Sequence, residues 1–317
     1  MREKIKSGIY GVAVGDAMGL PVEFKKRSML KEYPVTSMIG DGTYSQVPGT
    51  WSDDTSLTLC LVDSLSQGKL DYQDIIEKFC SWMLHGEYTP FGRAFDIGIG
   101  TCRALIRYGQ GYPPLECGGV IEQSNGNGSL MRSLPISYYI VKHYDMPIQI
   151  EEVMEVIHNI SKLTHAHIRS QIACGIYILI AVLLLRGEHL DNAIKNGMEQ
   201  AFCYYEKKEE YRVELEKYAR IYEDNFSTLP EEQIKSSGYV VDTLEAALWC
   251  IMNTNNYRDC ILKAVNLGGD TDTIAAVAGG LAGIAYEFES IPKDWINELQ
   301  GKELIDTLCE KFQKIME

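Results

Sequence analysis

The stretch Asn266–Glu287 reads NLGGDTDTIAAVAGGLAGIAYE, and its composition is unusual. Two glycines precede Asp270 and Asp272, and nearly all later residues are Ala, Gly, Val, Leu or Ile. A helix of such small apolar residues has no polar face, so we expect it to lie deep in the core. Buried carboxylates at its start must be protonated, paired or bound to a cation. Because the nearest basic residue in sequence is Lys263, the stretch raises the question of which cation these carboxylates bind.

The stretch Thr50–Thr55, TWSDDT, has the same design. Ser52, Asp53 and Asp54 open an apolar helix predicted over residues 52–67. Helix capping alone would account for either cluster, since Asp and Ser are favoured at helix N-termini. Capping needs one such side chain, however, and each cluster supplies two carboxylates. We therefore expect the two helix mouths to meet and to bind hard divalent cations, because all-oxygen ligands favour Mg²⁺, Mn²⁺ or Ca²⁺ over zinc.

Composition and charge restrict the possible partners and compartment. The 317 residues carry a net charge of −14, which disfavours nucleic acid and anionic membranes. Nine cysteines, an odd number without a CxxC pair, favour the reduced cytoplasm. Asp16 interrupts the apolar stretch near the N-terminus, so we predict no signal peptide. The longest apolar run, Ile172–Leu185, is too short to span a bilayer comfortably and suits a buried core helix.

Helical patterns dominate the chain, and several alternating, β-branched strand patterns are lacking. We therefore predict an all-α fold with a single domain over residues 1–317 and functional loops between the helices. Loops are predicted over residues 25–50, 109–129 and 230–238. Helices are predicted over residues 1–20, 52–67, 71–85 (with Asp71 as N-cap), 93–108, 150–163, 165–186, 189–222, 240–252, 257–265, 271–287 and 302–316, with another starting near Leu130.

Five motifs follow one another along the chain: GDAMG at 15–19 followed by Glu23, SDDT at 52–55, GNGSLMR at 126–132, TH at 164–165 and GDTDT at 269–273. In this order they resemble the motifs of the ADP-ribosylglycohydrolase family. Any one motif is weak, but their order and combination are specific, and the resemblance runs from about Gly8 to Glu287. The resemblance implies an all-α fold with two Mg²⁺ or Mn²⁺ ions and cleavage of the glycosidic bond that joins ADP-ribose to an acceptor.

Carried over position by position, the resemblance implies two sets of site residues. Without it, we would interpret the loop Ser124–Ser129 as an ordinary Asn-Gly turn. Relatives often have an aromatic residue just before the GNG segment, where this chain has Asn125, so the preferred acceptor stays open. The implied metal ligands are Ser52, Asp53, Asp54, Asp270, Asp272 and Thr273. The implied contacts to ADP-ribose are Ser124, Asn125, Asn127, Gly128, Ser129 and His165.

The resemblance also implies a role for Glu23, which matches an acidic residue that acts near the metals in some family members, and the chemistry of the reaction agrees with catalytic carboxylates. Departure of a leaving group from C1 of a ribose builds positive charge, which neighbouring carboxylates stabilise. We expect Glu23, Asp53 and Asp272 to be catalytic: two ions hold the ribose and a nucleophilic water while a carboxyl group assists proton transfer. The competing interpretation of Glu23 is a surface carboxylate in the loop after Pro21. For Asp16 we expect a structural role, as an acceptor of hydrogen bonds from the loops that carry the metals.

The sequence thus predicts a cytoplasmic hydrolase that removes ADP-ribose from a modified protein, with arginine as the first expectation for the acceptor. Another ADP-ribose conjugate (serine-linked, O-acetyl or a nucleoside derivative) is an alternative. A catalytically inactive relative that binds ADP-ribose is a second, although such a protein has no reason to keep four carboxylates together. We expect a monomer whose partner is ADP-ribose or an ADP-ribosylated protein, with no nucleic acid and no membrane.

Overall fold

Fifteen α-helices, joined by loops and short 3₁₀ turns, make up the computed structural model, which describes residues 2–145 and 149–316. Within these ranges there is no strand, only isolated bridges, so the all-α prediction is confirmed. The predicted domain span includes Met1, residues 146–148 and Glu317, which lie outside the described residues. The helices are α1 (Arg2–Gly19), α2 (Arg27–Glu32), α3 (Asp53–Leu65), α4 (Tyr72–His85), α5 (Ile99–Gly109), α6 (Pro135–His143), α7 (Ile150–Lys162), α8 (Ile168–Leu185), α9 (Leu190–Glu206), α10 (Glu209–Leu215), α11 (Val240–Met252), α12 (Tyr257–Asn266), α13 (Thr271–Tyr286), α14 (Lys293–Glu298) and α15 (Lys302–Met316).

The small-residue stretch forms α13, which is buried along most of its length and packs along α1. Glycines on α1 make this close packing possible. A Cβ added at Gly15 would lie 2.2 Å from the carbonyl oxygen of Ala275, and one at Gly19 would lie 2.4 Å from the Cα of Asp272. Only glycine permits such an approach of two backbones. The close packing of the two helices therefore fixes the C-terminal end of α1 against the N-terminal end of α13, where the carboxylates lie.

The most apolar helix of the protein is α8, which packs against α6, α7 and α9. In the part of the chain that the structure describes, it alone is long and apolar enough to cross a membrane. Of its residues, 94% are buried inside the fold. Such burial is that of a core helix, as the sequence predicts for this run.

Several predicted helix bounds are wrong, and each error has a physical cause. Residues 93–98 are not helical, because Asp96 has a positive φ of 52° and α5 starts only after Gly98. The predicted helix 189–222 is broken at Lys208, whose backbone is extended, into α9, α10 and a 3₁₀ turn. The helix expected near Leu130 starts at Pro135. Two six-residue helices, α2 and α14, are too short to show a helical period in the sequence.

Candidate active site

The N-terminal ends of α3 and α13 meet, as the sequence predicts. Thr273 Oγ1 on α13 donates a hydrogen bond to Asp54 Oδ2 on α3 (3.2 Å), and Ser52 Oγ donates to the same oxygen (3.3 Å). Asp270 occupies the N-cap position of α13, yet its side chain makes no capping hydrogen bond. Capping therefore does not account for this carboxylate, and the prediction that the helix mouths meet is confirmed.

Asp16 fixes the start of α3 from the neighbouring helix α1. Its carboxylate accepts hydrogen bonds from the backbone N–H groups of Ser52 (2.9 Å) and Thr55 (3.0 Å) and from Thr55 Oγ1 (2.6 Å). Burial raises the pKa of Asp16 to about 6, although these hydrogen bonds act in the opposite direction. The predicted structural role of Asp16, as an acceptor for the segment that carries Ser52, is confirmed by these contacts.

A carboxylate that the sequence analysis did not single out completes the acidic cluster. Carboxylate oxygens of Glu23, Asp96 and Asp272 all lie within 4.8 Å of one another. Asp96 also accepts a hydrogen bond from Tyr44 OH (2.5 Å). The helix predicted over residues 93–108 hid Asp96, since it placed the side chain on a regular helical face. The Asp-Ile-Gly sequence at residues 96–98, in which an acidic residue precedes a glycine by two positions, was the sequence signal that the predicted helix is interrupted.

The cluster, hereafter the acidic floor (Glu23, Asp53, Asp54, Asp96, Asp270 and Asp272), fits a hard divalent cation. Glu23 Oε2, Asp54 Oδ1 and Asp272 Oδ2 are buried and receive no hydrogen bond from the residues that the structure describes. Burial, and then repulsion from other carboxylates, raises the pKa of Asp53, Asp54 and Asp272 well above the usual range. Uncompensated buried charge is costly unless a cation is present, and carboxylate and hydroxyl oxygens suit Mg²⁺ or Mn²⁺.

Glu23 belongs to this floor and is not the surface carboxylate of the competing interpretation. Only 5% of the residue is exposed. Its neighbour Phe24 donates a backbone hydrogen bond to the carbonyl of Gly269 (2.7 Å), which ties the segment to the glycines before Asp270. Burial, and then the charges of Asp96 and Asp270, raise the pKa of Glu23 to about 9. Glu23 is thus one of the floor carboxyl groups that can hold a proton at neutral pH.

A cavity of about 620 Å³, hereafter the first cavity, rises from the acidic floor. Glu23, Asp53, Asp96, Asp270 and Thr273 line its base. Helix α5 and the segment 119–128 form its walls. Arg103 and Arg107 of α5 also line it, about 6 and 12 Å along the helix axis from the first residue of α5. The cavity therefore joins an acidic base to a wall with cationic groups, a polarity that suits an anionic ligand with a neutral or cationic end.

Only part of the predicted substrate loop, Ser124–Ser129, lines the first cavity. Ser124, Asn127 and Gly128 line the cavity. Asn127 Nδ2 donates a hydrogen bond to Asp270 Oδ2 (2.6 Å) and connects the loop to the acidic floor. The loop therefore touches both the cavity and the floor.

Asn125 and Ser129 lie behind the loop and do not line the first cavity. Asn125 Oδ1 accepts a hydrogen bond from Ser170 Oγ (3.2 Å) of α8. Ser129 is fully buried, and its hydroxyl accepts a hydrogen bond from Ser161 Oγ (3.0 Å) of α7. These contacts hold the loop from behind. The structure thus does not bring these two side chains to the cavity, in contrast to the predicted contact with ADP-ribose.

His165 lines the first cavity and is held by a short relay of hydrogen bonds. Arg132 Nη2 donates to Thr164 Oγ1 (2.8 Å), which lies 2.8 Å from His165 Nδ1. Because arginine can only donate, the Thr164 hydroxyl hydrogen is free for Nδ1, and this favours a ring proton on Nε2. A Cβ at the cavity-lining Gly100 would lie 2.7 Å from Nε2, so the ring needs a glycine there. Burial, and then Arg132, lowers the pKa of His165 to about 3, so the ring is a neutral N–H donor.

The six residues predicted as metal ligands all lie at the two helix mouths, at or beside the acidic floor. Their function as ligands stays a prediction, as do the catalytic assignments of Glu23, Asp53 and Asp272. The predicted set is Ser52, Asp53, Asp54, Asp270, Asp272 and Thr273, all buried.

Comparison with known proteins gives concordant results. A family model described as ADP-ribosylglycohydrolase matches residues 1–317. Over 311 residues the chain is 35% identical to the ADP-ribosylarginine hydrolase Tri1 of Serratia proteamaculans, covering 98% of this chain and 79% of that protein. It is 31% identical over 305 residues to the ADP-ribosyl-[dinitrogen reductase] glycohydrolase of Rhodospirillum rubrum, covering 95% and 92%. A solved structure described as an ADP-ribosylglycohydrolase-related protein complex matches with a TM-score of 0.78 at 30% identity, covering 100% of this chain and 99% of that one.

Proposed function

The chain belongs to the ADP-ribosylglycohydrolase family, and on that basis we propose that it hydrolyses the N-glycosidic bond between ADP-ribose and an arginine side chain of a modified protein. The relatives named above act on ADP-ribosylarginine and on ADP-ribosylated dinitrogen reductase, by their names. One observation carries the proposal: the buried carboxylates of the acidic floor form the base of an open cavity, where a substrate can reach them.

We infer that two Mg²⁺ or Mn²⁺ ions complete the acidic floor. Three buried carboxylate oxygens without a hydrogen bond support this inference, as do the raised pKa values of their groups. When bound, such ions supply Lewis acidity, which orients ribose hydroxyls and makes water more acidic. The residues that would hold them are Ser52, Asp53, Asp54, Asp270, Asp272 and Thr273.

The protein's own carboxyl groups assist the departure of the acceptor. As the bond between C1 and the acceptor nitrogen breaks, positive charge develops on the ribose, and the negative charges of Asp53 and Asp272 stabilise it. Glu23 lies beside Asp272 and gives a proton to the departing guanidine nitrogen; it regains one from the water that adds to C1. The products are free ADP-ribose and an unmodified arginine.

The walls of the first cavity bind the remainder of the substrate. A net charge of −14 opposes an anionic diphosphate, so donors and cations at the site must reverse the local field. His165 provides a neutral N–H donor on the cavity wall. Arg103 and Arg107 add positive charge on α5. In this orientation the diphosphate lies against the walls while the ribose that bears the acceptor reaches the floor.

The test is release of free ADP-ribose from arginine-linked and serine-linked peptides, with Mg²⁺ and with a chelator. We expect release from the arginine-linked peptide in Mg²⁺ and none with chelator. Asp294 provides a matched control, because it is an exposed aspartate in the first turn of a helix. Asp294→Asn keeps full activity, whereas Asp272→Asn loses it. Release from the serine-linked peptide alone, or from neither peptide by metal-loaded protein, contradicts the proposal.

A further inference from the structure

A second cavity, of about 800 Å³, lies beside the first and reaches two carboxylates of the acidic floor, Glu23 and Asp270. The shared wall consists of Glu23, Phe24, Gly238 and Asp270, which line both cavities. Gly238 is in contact with Asp270, since a Cβ added at Gly238 would lie 3.0 Å from Asp270 Oδ2. The second cavity therefore opens onto the acidic floor from a different side than the cavity that we assign to ADP-ribose.

Acidic groups outnumber cationic groups in this second cavity. Glu23, Glu232, Asp242 and Asp270 line it, against Arg27 and Lys235. The guanidinium of Arg27 is already engaged, because it donates hydrogen bonds to the backbone carbonyls of residues 267 (2.7 Å), 231 (2.5 Å) and 234 (2.6 Å). These contacts make Arg27 part of the cavity frame. Glu232 is likewise paired, with Lys31 Nζ (3.0 Å). The lining that remains is Glu23, Asp242 and Asp270 against Lys235, which favours a cationic ligand.

Glu232 and Asp242 line the second cavity but not the first, and of the two only Asp242, in the first turn of α11, is buried. Only 8% of the residue is exposed. In the described part of the chain its carboxylate accepts one side-chain hydrogen bond, from Ser237 Oγ to Oδ2 (2.6 Å). Its other oxygen, Oδ1, is available to a ligand. An unpaired carboxylate oxygen on a largely buried residue is well placed to pair with a charged donor.

Phe24 presents an aromatic ring at the border of the two cavities. Its side chain is exposed, at 68%, although its backbone is fixed by the hydrogen bond to Gly269 and has a positive φ of 64°. A bulky residue with positive φ is energetically unfavourable, and so is an exposed phenyl ring. The flat face of such a ring is a suitable surface for a guanidinium group, which stacks on aromatic rings.

We propose that the second cavity is the acceptor site, which receives the modified arginine side chain and the peptide next to it. Asp242 pairs with the guanidinium, and Phe24 stacks on it where the side chain passes the shared wall. ADP-ribose in the first cavity and arginine in the second then meet at Glu23 and Asp270, so the bond to be cleaved lies over the acidic floor. The assignment rests on the proposed function.

The test is steady-state hydrolysis of an ADP-ribosylarginine peptide by Asp242→Asn. Loss of one charge-assisted hydrogen bond raises KM about tenfold. Because Asp242 does not line the first cavity, kcat and the inhibition constant of free ADP-ribose stay within about threefold of wild type. Asp242→Glu keeps the charge and restores part of the affinity. Asp294→Asn is the control for a neutralised exposed aspartate.

The outcomes separate this inference from the proposed function. If wild-type enzyme does not release ADP-ribose from the arginine-linked peptide, the proposed function fails before any variant is compared. If wild-type enzyme turns over but Asp242→Asn keeps its KM, the acceptor assignment is wrong. It is also wrong if the variant loses ADP-ribose affinity by the same factor.

A second variant covers the case in which Asp242→Asn fails to fold. The side chain of Phe24 is exposed, so Phe24→Ala keeps the fold. Agmatine, a guanidinium compound without ADP-ribose, inhibits wild-type enzyme by occupying the acceptor site, and we expect about fivefold weaker inhibition of Phe24→Ala. Equal inhibition of both proteins overturns the assignment.

Discussion

Most carboxylates of the acidic floor and the imidazole of His165 on the cavity wall are buried, but burial has opposite consequences in the two regions. At the floor it gathers carboxylates that repel one another and leaves three oxygens without a hydrogen bond. At the wall it leaves one neutral imidazole whose Nδ1 lies 2.8 Å from the hydroxyl of Thr164. His165 has its hydrogen-bond partners within the protein, whereas we propose that the floor carboxylates gain theirs from a bound cation. Missing partners, more than burial itself, identify the reactive part of the cavity.

We expect the largest effect on metal affinity and kcat from Asp272→Asn at the acidic floor. Loss of one floor carboxylate removes metal affinity and lowers kcat by about a thousandfold, within the range known for loss of a key electrostatic group. With chelator present, however, the variant is more stable than wild type, because one repelling charge is gone. Melting temperatures in chelator and in Mg²⁺ check this. A variant that is less stable than wild type under both conditions would contradict the repulsion argument.

The stability of the metal-free protein should depend on pH because of the floor carboxylates. Folding raises the pKa of Asp53, Asp54 and Asp272, so the folded state holds more protons than the unfolded one. Their contribution to stability is therefore present below the unfolded pKa, near 4, and is lost as the pH rises. In chelator, the stability advantage of Asp272→Asn over wild type should be larger at pH 8 than at pH 5. Melting curves of both proteins at pH 5 and pH 8 measure this stability advantage. An advantage that is the same at both pH values would contradict the prediction.

At the wall, a smaller effect is expected from His165→Gln. Loss of the Nε2 donor, which we assign to the substrate, raises KM about tenfold with a smaller change in kcat. His158 is a matched control: it is also buried, its pKa is also lowered to about 3 by burial, and it bonds Tyr205 and Tyr211 away from the cavity. His158→Gln should change stability and leave KM unaltered. Equal KM values for the two variants would remove His165 from the substrate site.

The smallest effect is expected for Arg103→Gln on the cavity wall. Arg103 lines the first cavity but is exposed, so solvent and salt screen its charge. We expect about threefold weaker inhibition by ADP-ribose at low ionic strength and little difference at high salt. Inhibition constants at two salt concentrations check this prediction. A difference that is independent of salt would mean that Arg103 acts through packing and not through charge.

The acidic floor was largely predictable from the sequence because most of its residues lie at the N-terminal ends of helices. Each of two helices starts with more carboxylates than capping needs and continues with apolar residues. This pattern predicted that Asp53, Asp54, Asp270 and Asp272 converge. The hydrogen bond from Thr273 to Asp54 confirms that the helix mouths meet. Asp96 was missed because its positive φ breaks a helix that the sequence pattern continues.

The wall was less predictable, since the direction of a loop side chain depends on partners distant in sequence. Asn125 and Ser129 point away from the cavity because Ser170 and Ser161, on α8 and α7, hold them there. The shared wall of the second cavity also depends on contacts between distant segments, such as the hydrogen bond from Phe24 N–H to the carbonyl of Gly269. Such contacts leave no local pattern in the sequence.

The most direct test of the central claim, that divalent cations complete the acidic floor, is a titration of chelator-treated protein with Mn²⁺ followed by electron paramagnetic resonance. We predict two bound ions per chain for wild type and for the Asp294→Asn control. Asp272→Asn should bind fewer, at the same protein concentration. Equal Mn²⁺ binding by wild type and Asp272→Asn, or no specific binding by wild type, would contradict the claim.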